Sequence, residues 1–377
     1  MSGTMRVGFD ARWYNDSGVG TYVAELLRAL APLQTDVHLV VYDDAGNPVP
    51  GLERLPLERI PVDAGKYSLG GMRAMARRCR DDRLDVFHSP FYPSPLNAPC
   101  PVVVTIHDLI PFLFPIYAWP KREMVKAGYR RAGRVASQVI AGSSHTARDV
   151  ERILKVKPDK ITTIAYAVSA AEFRPERNAS ELKLLWDKYA LKQPYTVAAS
   201  ARNWSTKNLE SALRALQAAG EIAGVKFQTA VYGVCDGLDA AGGEKRWPQL
   251  NLARVGYVSA TELAMLYRHA ELFIMPSLYE GFGLPVVEAM ACGCPVITSN
   301  GGALAEVAGQ GAQVFQAMDV EGMAAAAAAL MTSPAVRDRW RLAALRRAAE
   351  FSWNRAAMET IAVYHRACRG GISGKRA

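Results

Sequence analysis

Strands and helices alternate along nearly all of the 377 residues, which predicts an α/β protein of parallel sheets with helices on both faces. Two observations sharpen that class. A polar stretch, 169–193, splits the alternation into two series, so the chain should hold two Rossmann-like domains. Residues 276–300 also read as strand exit, glycine loop, helix and strand, a complete βαβ unit.

In the first series, strands are expected at 6–10, 38–42, 86–88, 102–106, 138–141 and 161–164. Helices are expected at 19–33, 69–80, 122–136 and 146–154, the last capped by Ser143 to Thr146. In the second series, strands fall at 195–200, 226–232, 253–257, 272–275, 296–298 and 312–315, with helices at 208–220, 259–268 and 286–292. The alanine run 324–329 reads as helical filler, and 352–368 as a final helix after the last strand. Domain boundaries follow: 1–170, a connecting stretch 171–193, and 194–351, with 352–370 left over as a helix.

Half of the residues are hydrophobic and 21% are charged, a soluble composition. No run of about eighteen apolar residues occurs; the longest candidate, 101–119, is interrupted by His107, Asp108, Pro111 and Pro115. The start lacks the long apolar segment of a signal peptide, and the six cysteines form no Cys-x-x-Cys pair, so a cytoplasmic protein without a metal or disulfide framework is expected. The net charge of +9 calls for an anionic partner: nucleic acid, a membrane surface or an acidic small molecule. No common nucleic-acid module is visible, so nucleic acid is not expected.

The chemistry concentrates in 276–300. Glu280, Gly281 and Gly283 lie in the loop, Pro285 suits the first helical position, and Glu288 follows on the first turn. A helix N-terminus offers free N–H groups to phosphate oxygens, but two acids beside it would repel them. The acids fit better as acceptors for hydroxyl groups, which makes the ligand a sugar nucleotide. This segment resembles the Glu-x7-Glu motif of retaining glycosyltransferases with the GT-B fold, family 4, also called glycosyl transferases group 1. Glu280 and Glu288 have its spacing, around an intact Glu-Gly-Phe-Gly-Leu-Pro core. The resemblance implies two Rossmann-like domains facing each other across a cleft, with the final helix crossing back onto the first. It also implies that Glu280 meets the donor sugar, that the amides of Gly281, Phe282, Gly283 and Leu284 meet sugar and diphosphate, and that Glu288 holds the ribose.

Other positions take roles from the same resemblance. Arg202 and Lys207, five residues apart after a strand, match two bases that bind the donor diphosphate, although Ala201 replaces the usual glycine. Two fixed cations would stabilise the leaving charge, and with no Asp-x-Asp in the chain they would stand in for a metal. Gly18, in Ser-Gly-Val-Gly-Thr-Tyr, matches a glycine loop that touches the diphosphate, in a mannosyltransferase-like variant. His107, at a strand end, matches a histidine near the donor sugar; a loop-fixing hydrogen bond is the other reading. Val258 matches a loop that holds the nucleobase through backbone groups.

Six basic residues against one acid between Trp119 and Arg134, after Phe112, Phe114 and Tyr117, suggest a face for anionic lipid or a lipid-diphosphate acceptor, or else a solvated helix face. The expected function is hexose transfer from a nucleotide-sugar donor, GDP-mannose first, to a glycan or lipid-linked acceptor of a bacterial surface polysaccharide, with no cofactor. A UDP-sugar-dependent transferase, a GT-B sugar-nucleotide epimerase and a catalytically silent nucleotide-sugar sensor are the alternatives.

Overall fold

The computed structural model describes residues 4–14, 17–33, 36–200, 204–234, 246, 247 and 250–373. Among these residues the chain forms two sheets. The first contains β1 (Met5–Asp10), β2 (Val37–Asp44), β3 (Glu58–Val62), β4 (Val86–Ser89), β5 (Val102–Ile106), β6 (Gln138–Ala141) and β7 (Ile161–Thr163), in the order β3-β2-β1-β4-β5-β6-β7. The second contains β8 (Tyr195–Ser200), β9 (Phe227–Gly233), β10 (Leu250–Gly256), β11 (Phe273–Met275), β12 (Val296–Ser299) and β13 (Gln313–Phe315), in the order β10-β9-β8-β11-β12-β13. All strand pairs are parallel. Strand order reverses between β1 and β4, and again between β8 and β11, the switch points where doubly wound sheets open a crevice.

The helices are α1 (Ser17–Leu30), α2 (Leu69–Asp81), α3 (Ile110–Leu113), α4 (Lys121–Val135), α5 (Ser144–Leu154), α6 (Ala179–Tyr189) and α7 (Trp204–Lys207). They continue with α8 (Leu209–Ala223), α9 (Ala260–His269), α10 (Leu284–Ala291), α11 (Leu304–Ala308), α12 (Val320–Thr332), α13 (Pro334–Ala348) and α14 (Trp353–Ser373). The α/β class expected from the alternation holds in both halves. The chain divides into two units, 1–167 with 352–377, and 168–351.

In the first unit, one face of the sheet is covered by α2, α4 and α5, through Met75, Cys79, Val125, Tyr129, Val150 and Leu154. The helix α14 belongs to this unit because its buried residues recur at helical spacing: Trp353, Ala356, Ala357, Thr360, Val363, Tyr364 and Ala367. Its Tyr364 hydroxyl lies 2.7 Å from His88 Nδ1, and His365 and Arg366 reach Asp36 and Thr162 at 2.8 and 2.9 Å. In the second unit, α8 packs on α12 through Ala212, Ala215 and Ala219 against Ala324, Ala327 and Ala328. The alanine run is therefore a close-packed contact, where small side chains let two helices approach.

Four differences from the sequence expectations have local causes. The strand β3 escapes a pattern search because it is an edge strand carrying Pro61, which removes a donor where no neighbour needs one. The stretch 171–193 holds the helix α6, tied down by Glu181, which bonds Arg268 at 2.8 Å and His269 at 2.9 Å. The helix α13, unmarked in the sequence reading, starts at Pro334 with Ser333 as its cap. Pro285 is the second residue of α10, not the first, because the left-handed Gly283 (φ +100°) starts the helix at Leu284.

Candidate active site

Two loops leave the second sheet at the carboxyl ends of its central strands, on either side of the switch point. After β8 comes α7, one turn ending at Lys207. Asn208 ends that turn in the left-handed conformation (φ +52°), and its amide donates to Pro276 O at 3.0 Å and Ala317 O at 2.7 Å. The amide N–H of Leu278 donates to Thr206 O at 2.8 Å. These bonds fix the turn that carries Lys207 against the loop after β11.

That loop carries Glu280. The Lys207 Nζ lies 2.8 Å from Glu280 Oε1, with the two side chains 18% and 14% exposed. The pair is accessible enough for a ligand to compete for the ammonium, yet shielded enough for a fixed charge to act strongly. The backbone of Glu280 bridges to Gly302, and Ala303 N–H donates to Glu280 O at 2.9 Å. The hydroxyl of Ser299 donates to Ser277 O, and that of Thr298 to Met275 O at 2.8 Å.

The chain then turns at Gly283 into α10. A side chain there would meet Leu304 Cδ2 at 2.6 Å, and no side chain caps the helix start. The first N–H groups of α10 thus have no side-chain cap beside the Lys207–Glu280 pair, an arrangement suited to phosphate oxygens. The ring of Phe282 is buried edge-on against Phe351, with centroids 5.7 Å apart, which anchors the loop from behind. Glu288, one turn along α10, is half-buried. Burial pushes its carboxyl up to about 7, against the opposing pull of Lys207. Behind it, the Tyr232 and Tyr267 hydroxyls meet at 2.8 Å.

Lys207, Glu280, Gly281 to Leu284 and Glu288 are thus brought together. Val258 lies at the same edge of the sheet, half-buried in the turn after β10, where Gly256 (φ +72°) bends the chain and Ser259 with Glu262 forms the capping box of α9. Arg202 lies outside the described residues. Gly18 and His107 belong to the first unit. Gly18 is exposed in the first turn of α1, and a side chain there would meet nothing within 4 Å. At Gly20 a side chain would strike Tyr14 O at 1.7 Å, so the fold itself needs only the second glycine.

His107 uses both ring nitrogens inside its unit: Nε2 donates to Pro90 O at 2.8 Å, and Nδ1 faces the Tyr166 hydroxyl at 2.8 Å. Burial pushes the ring down to about 4, against the bond to Pro90. With both ring nitrogens engaged, the imidazole ties the end of β5 to Pro90 and Tyr166.

The sequence reading missed the support under Glu280. A side chain at Gly301 would lie 2.1 Å from Ser277 O, and one at Gly302 2.2 Å from Glu280 O. The Asn300-Gly-Gly run after β12 was the available signal. Among the described residues, no group of three or more His, Cys, Asp and Glu side chains is arranged to hold a metal.

Two family models match. The one described as glycosyl transferases group 1 covers residues 185–347, and the one described as glycosyltransferase family 4 covers 17–172. The chain is 29% identical to the O-antigen chain mannosyltransferase B of Escherichia coli over 93% of this chain and 96% of that protein. It is 28% identical to an MMP alpha-(1->4)-mannosyltransferase of Mycolicibacterium hassiacum, over 66% of this chain and 60% of that protein. Among solved structures, a sucrose-phosphate synthase from Thermosynechococcus elongatus superposes with a TM-score of 0.74 at 19% identity, covering 96% of this chain and 98% of that one. Anabaena HepE in complex with UDP-glucose gives 0.72 at 16% identity, covering 95% and 99%. At these identities the structural likeness speaks for the fold.

Proposed function

The chain belongs to the GT-B glycosyltransferases of the family 4, group 1 type, and from that premise we propose that it moves mannose from GDP-mannose, with retention, to a glycan or lipid-linked acceptor of a surface polysaccharide. The observation that carries the proposal is the 2.8 Å contact between Lys207 and Glu280, beside an α10 start without a side-chain cap and with Glu288 one turn on. Mannose is favoured because two relatives along much of the chain are mannosyltransferases by name.

In this reading the donor diphosphate settles at the start of α10 and draws Lys207 toward its oxygens, with Arg202 assisting by sequence analogy. Glu280, released from its partner, faces the hexose and supports positive charge at the reacting carbon. The bond from that carbon to the phosphate oxygen breaks and the acceptor oxygen bonds on the same face. The acceptor proton passes to the departing phosphate. Glu288 accepts the ribose hydroxyls, and the backbone near Val258 meets the base. Gly18 and His107 serve the first unit, Gly18 by leaving room and His107 by positioning. No step in this scheme calls for a metal.

Purified protein incubated with GDP-mannose, UDP-glucose, UDP-galactose and UDP-N-acetylglucosamine tests the donor, with hydrolysis read by nucleotide release. GDP release from GDP-mannose is expected to lead, and to fall about 100-fold or more in Lys207→Ala with the fold retained. Turnover of UDP-sugars alone would replace the mannose reading, and an epimerised sugar nucleotide formed without acceptor would make the protein an isomerase.

A further inference from the structure

At the opposite edge of the second sheet, where β8, β9 and β10 begin, the surface opens into a cavity of about 850 Å³. Its floor is apolar, made by Phe227, Trp247 and Leu250, and its rim carries Trp186, Lys226 and Asn251. Trp186 is 44% exposed, and the Lys192 ammonium, 4.1 Å from its ring centroid, braces the indole. From the length of β8, this cavity lies about 20 Å from the carboxyl edge that holds Lys207 and Glu280. It belongs to none of the machinery described above.

We propose that this cavity is a second saccharide site, which holds a neutral glycan chain away from the transfer site. The helices α6, α8 and α9 all end at this edge, each leading into the next strand. Helix C-termini present carbonyl oxygens and a negative partial charge, and such groups accept hydroxyl and amide donors. Two of these carbonyls, Ala190 O and His269 O, already take amide donors, from Gln228 at 3.2 Å and Gln193 at 2.8 Å. The exposed indole face of Trp186 and the apolar floor suit the C–H face of a pyranose, while Lys226 and Asn251 can serve its hydroxyl rim. The inference rests on the reading of the protein as a glycan-building transferase, since that activity supplies such a chain.

Native electrophoresis through gels holding neutral α-mannan, with dextran gels in parallel, tests it. Full-length protein is expected to be retarded by mannan, and Glu280→Gln to be retarded equally, because the transfer site is not involved. Trp186→Ala and Lys226→Ala, both at exposed positions, should each weaken the apparent affinity at least fivefold while releasing nucleotide from donor at the unaltered rate. Passage of the parent protein unretarded through both gels, with donor turnover intact, would overturn the site and leave the proposed activity standing. Retardation abolished by Glu280→Gln, or unaffected by both rim variants, would assign the binding to the transfer site and overturn the cavity. Failure of donor turnover itself would count against the proposed function alone.

Discussion

Glu288 is the residue whose environment makes the sharpest demand on pH. Its carboxyl is pushed up to about 7, so the folded chain binds a proton there that an unfolded chain, with an ordinary carboxylate, releases near pH 4.5. The stabilising contribution is complete below the unfolded value and is lost as pH rises through 7. Glu288→Gln removes this dependence. Its melting temperature should match that of the parent near pH 5 and exceed it near pH 8, by the equivalent of at most about 3 kcal/mol. Donor binding should weaken near pH 8, where the parent carries a carboxylate and an amide is a poorer acceptor for a diol, and should differ little near pH 5, where the parent side chain is itself neutral. Parallel melting curves from pH 5 to 8.5 would show that Glu288 is not held neutral. Lys207 and Glu280 differ in kind: their contact is a pair poised for exchange, and its loss should appear in turnover before stability.

At the scale of elements, the loop between β11 and α10 is shaped from behind. Gly302 has φ +66° and its added Cβ would fall 2.2 Å from Glu280 O, so Gly302→Ala must displace the backbone of the glutamate itself. A cost of about 2–4 kcal/mol and loss of most donor turnover are expected, read by chemical denaturation and nucleotide release. Gly18→Ala is the contrast. Space around it is open, so stability should hold or rise by up to about 1 kcal/mol on helix propensity, while donor affinity falls if a phosphate needs that space. Wild-type affinity in Gly18→Ala would remove the first glycine from the site.

The same loop shows what a sequence can and cannot disclose. Glu280, Gly283, Pro285 and Glu288 lie within nine positions, so their spacing is a local pattern that declares strand exit, turn and helix start together. Gly301 and Gly302 act through a parallel bridge to a loop some twenty residues earlier, and nothing local ties them to it. Likewise α6 looked like a connector because its anchor, Glu181, finds Arg268 and His269 almost ninety positions away. The strands β5, β6 and β8 were bounded correctly from runs of apolar residues, since strands buried on both faces need no alternation. The edge strand β3, polar and interrupted by Pro61, had no such run.

Over the whole molecule the basic excess is not shared. The first unit has 27 Lys and Arg against 18 Asp and Glu, and the second has 18 of each, so the +9 charge belongs to the first alone. Within it, α2 and α4 cover the same face of the sheet, with the 94–96 segment bonded to both: Leu96 N–H to Met72 O, and Arg131 to Ser94 O at 3.0 Å. Their exposed sides carry Arg73, Arg77 and Arg80 on one helix and Lys121, Arg130 and Arg134 on the other. Large apolar residues stand out near the start of each: Tyr67 and Leu69 before and on α2, Trp119 (80% exposed) and Met124 (68%) by α4. No described helix is long and apolar enough to cross a membrane. Exposed basic side chains on helices that also expose aromatic and aliphatic groups suit an anionic bilayer, which is also where a lipid-linked acceptor would be found. Each base near such a surface contributes about 1 kcal/mol, so reversing three of them should reduce binding by well over tenfold. Sedimentation with vesicles of 30% phosphatidylglycerol is expected to carry the parent protein down at low salt but not at about 0.5 M, and to leave the Lys121→Glu, Arg130→Glu, Arg134→Glu variant in solution. Equal sedimentation of that variant, or no preference for anionic over zwitterionic vesicles, would show that these helices meet only water.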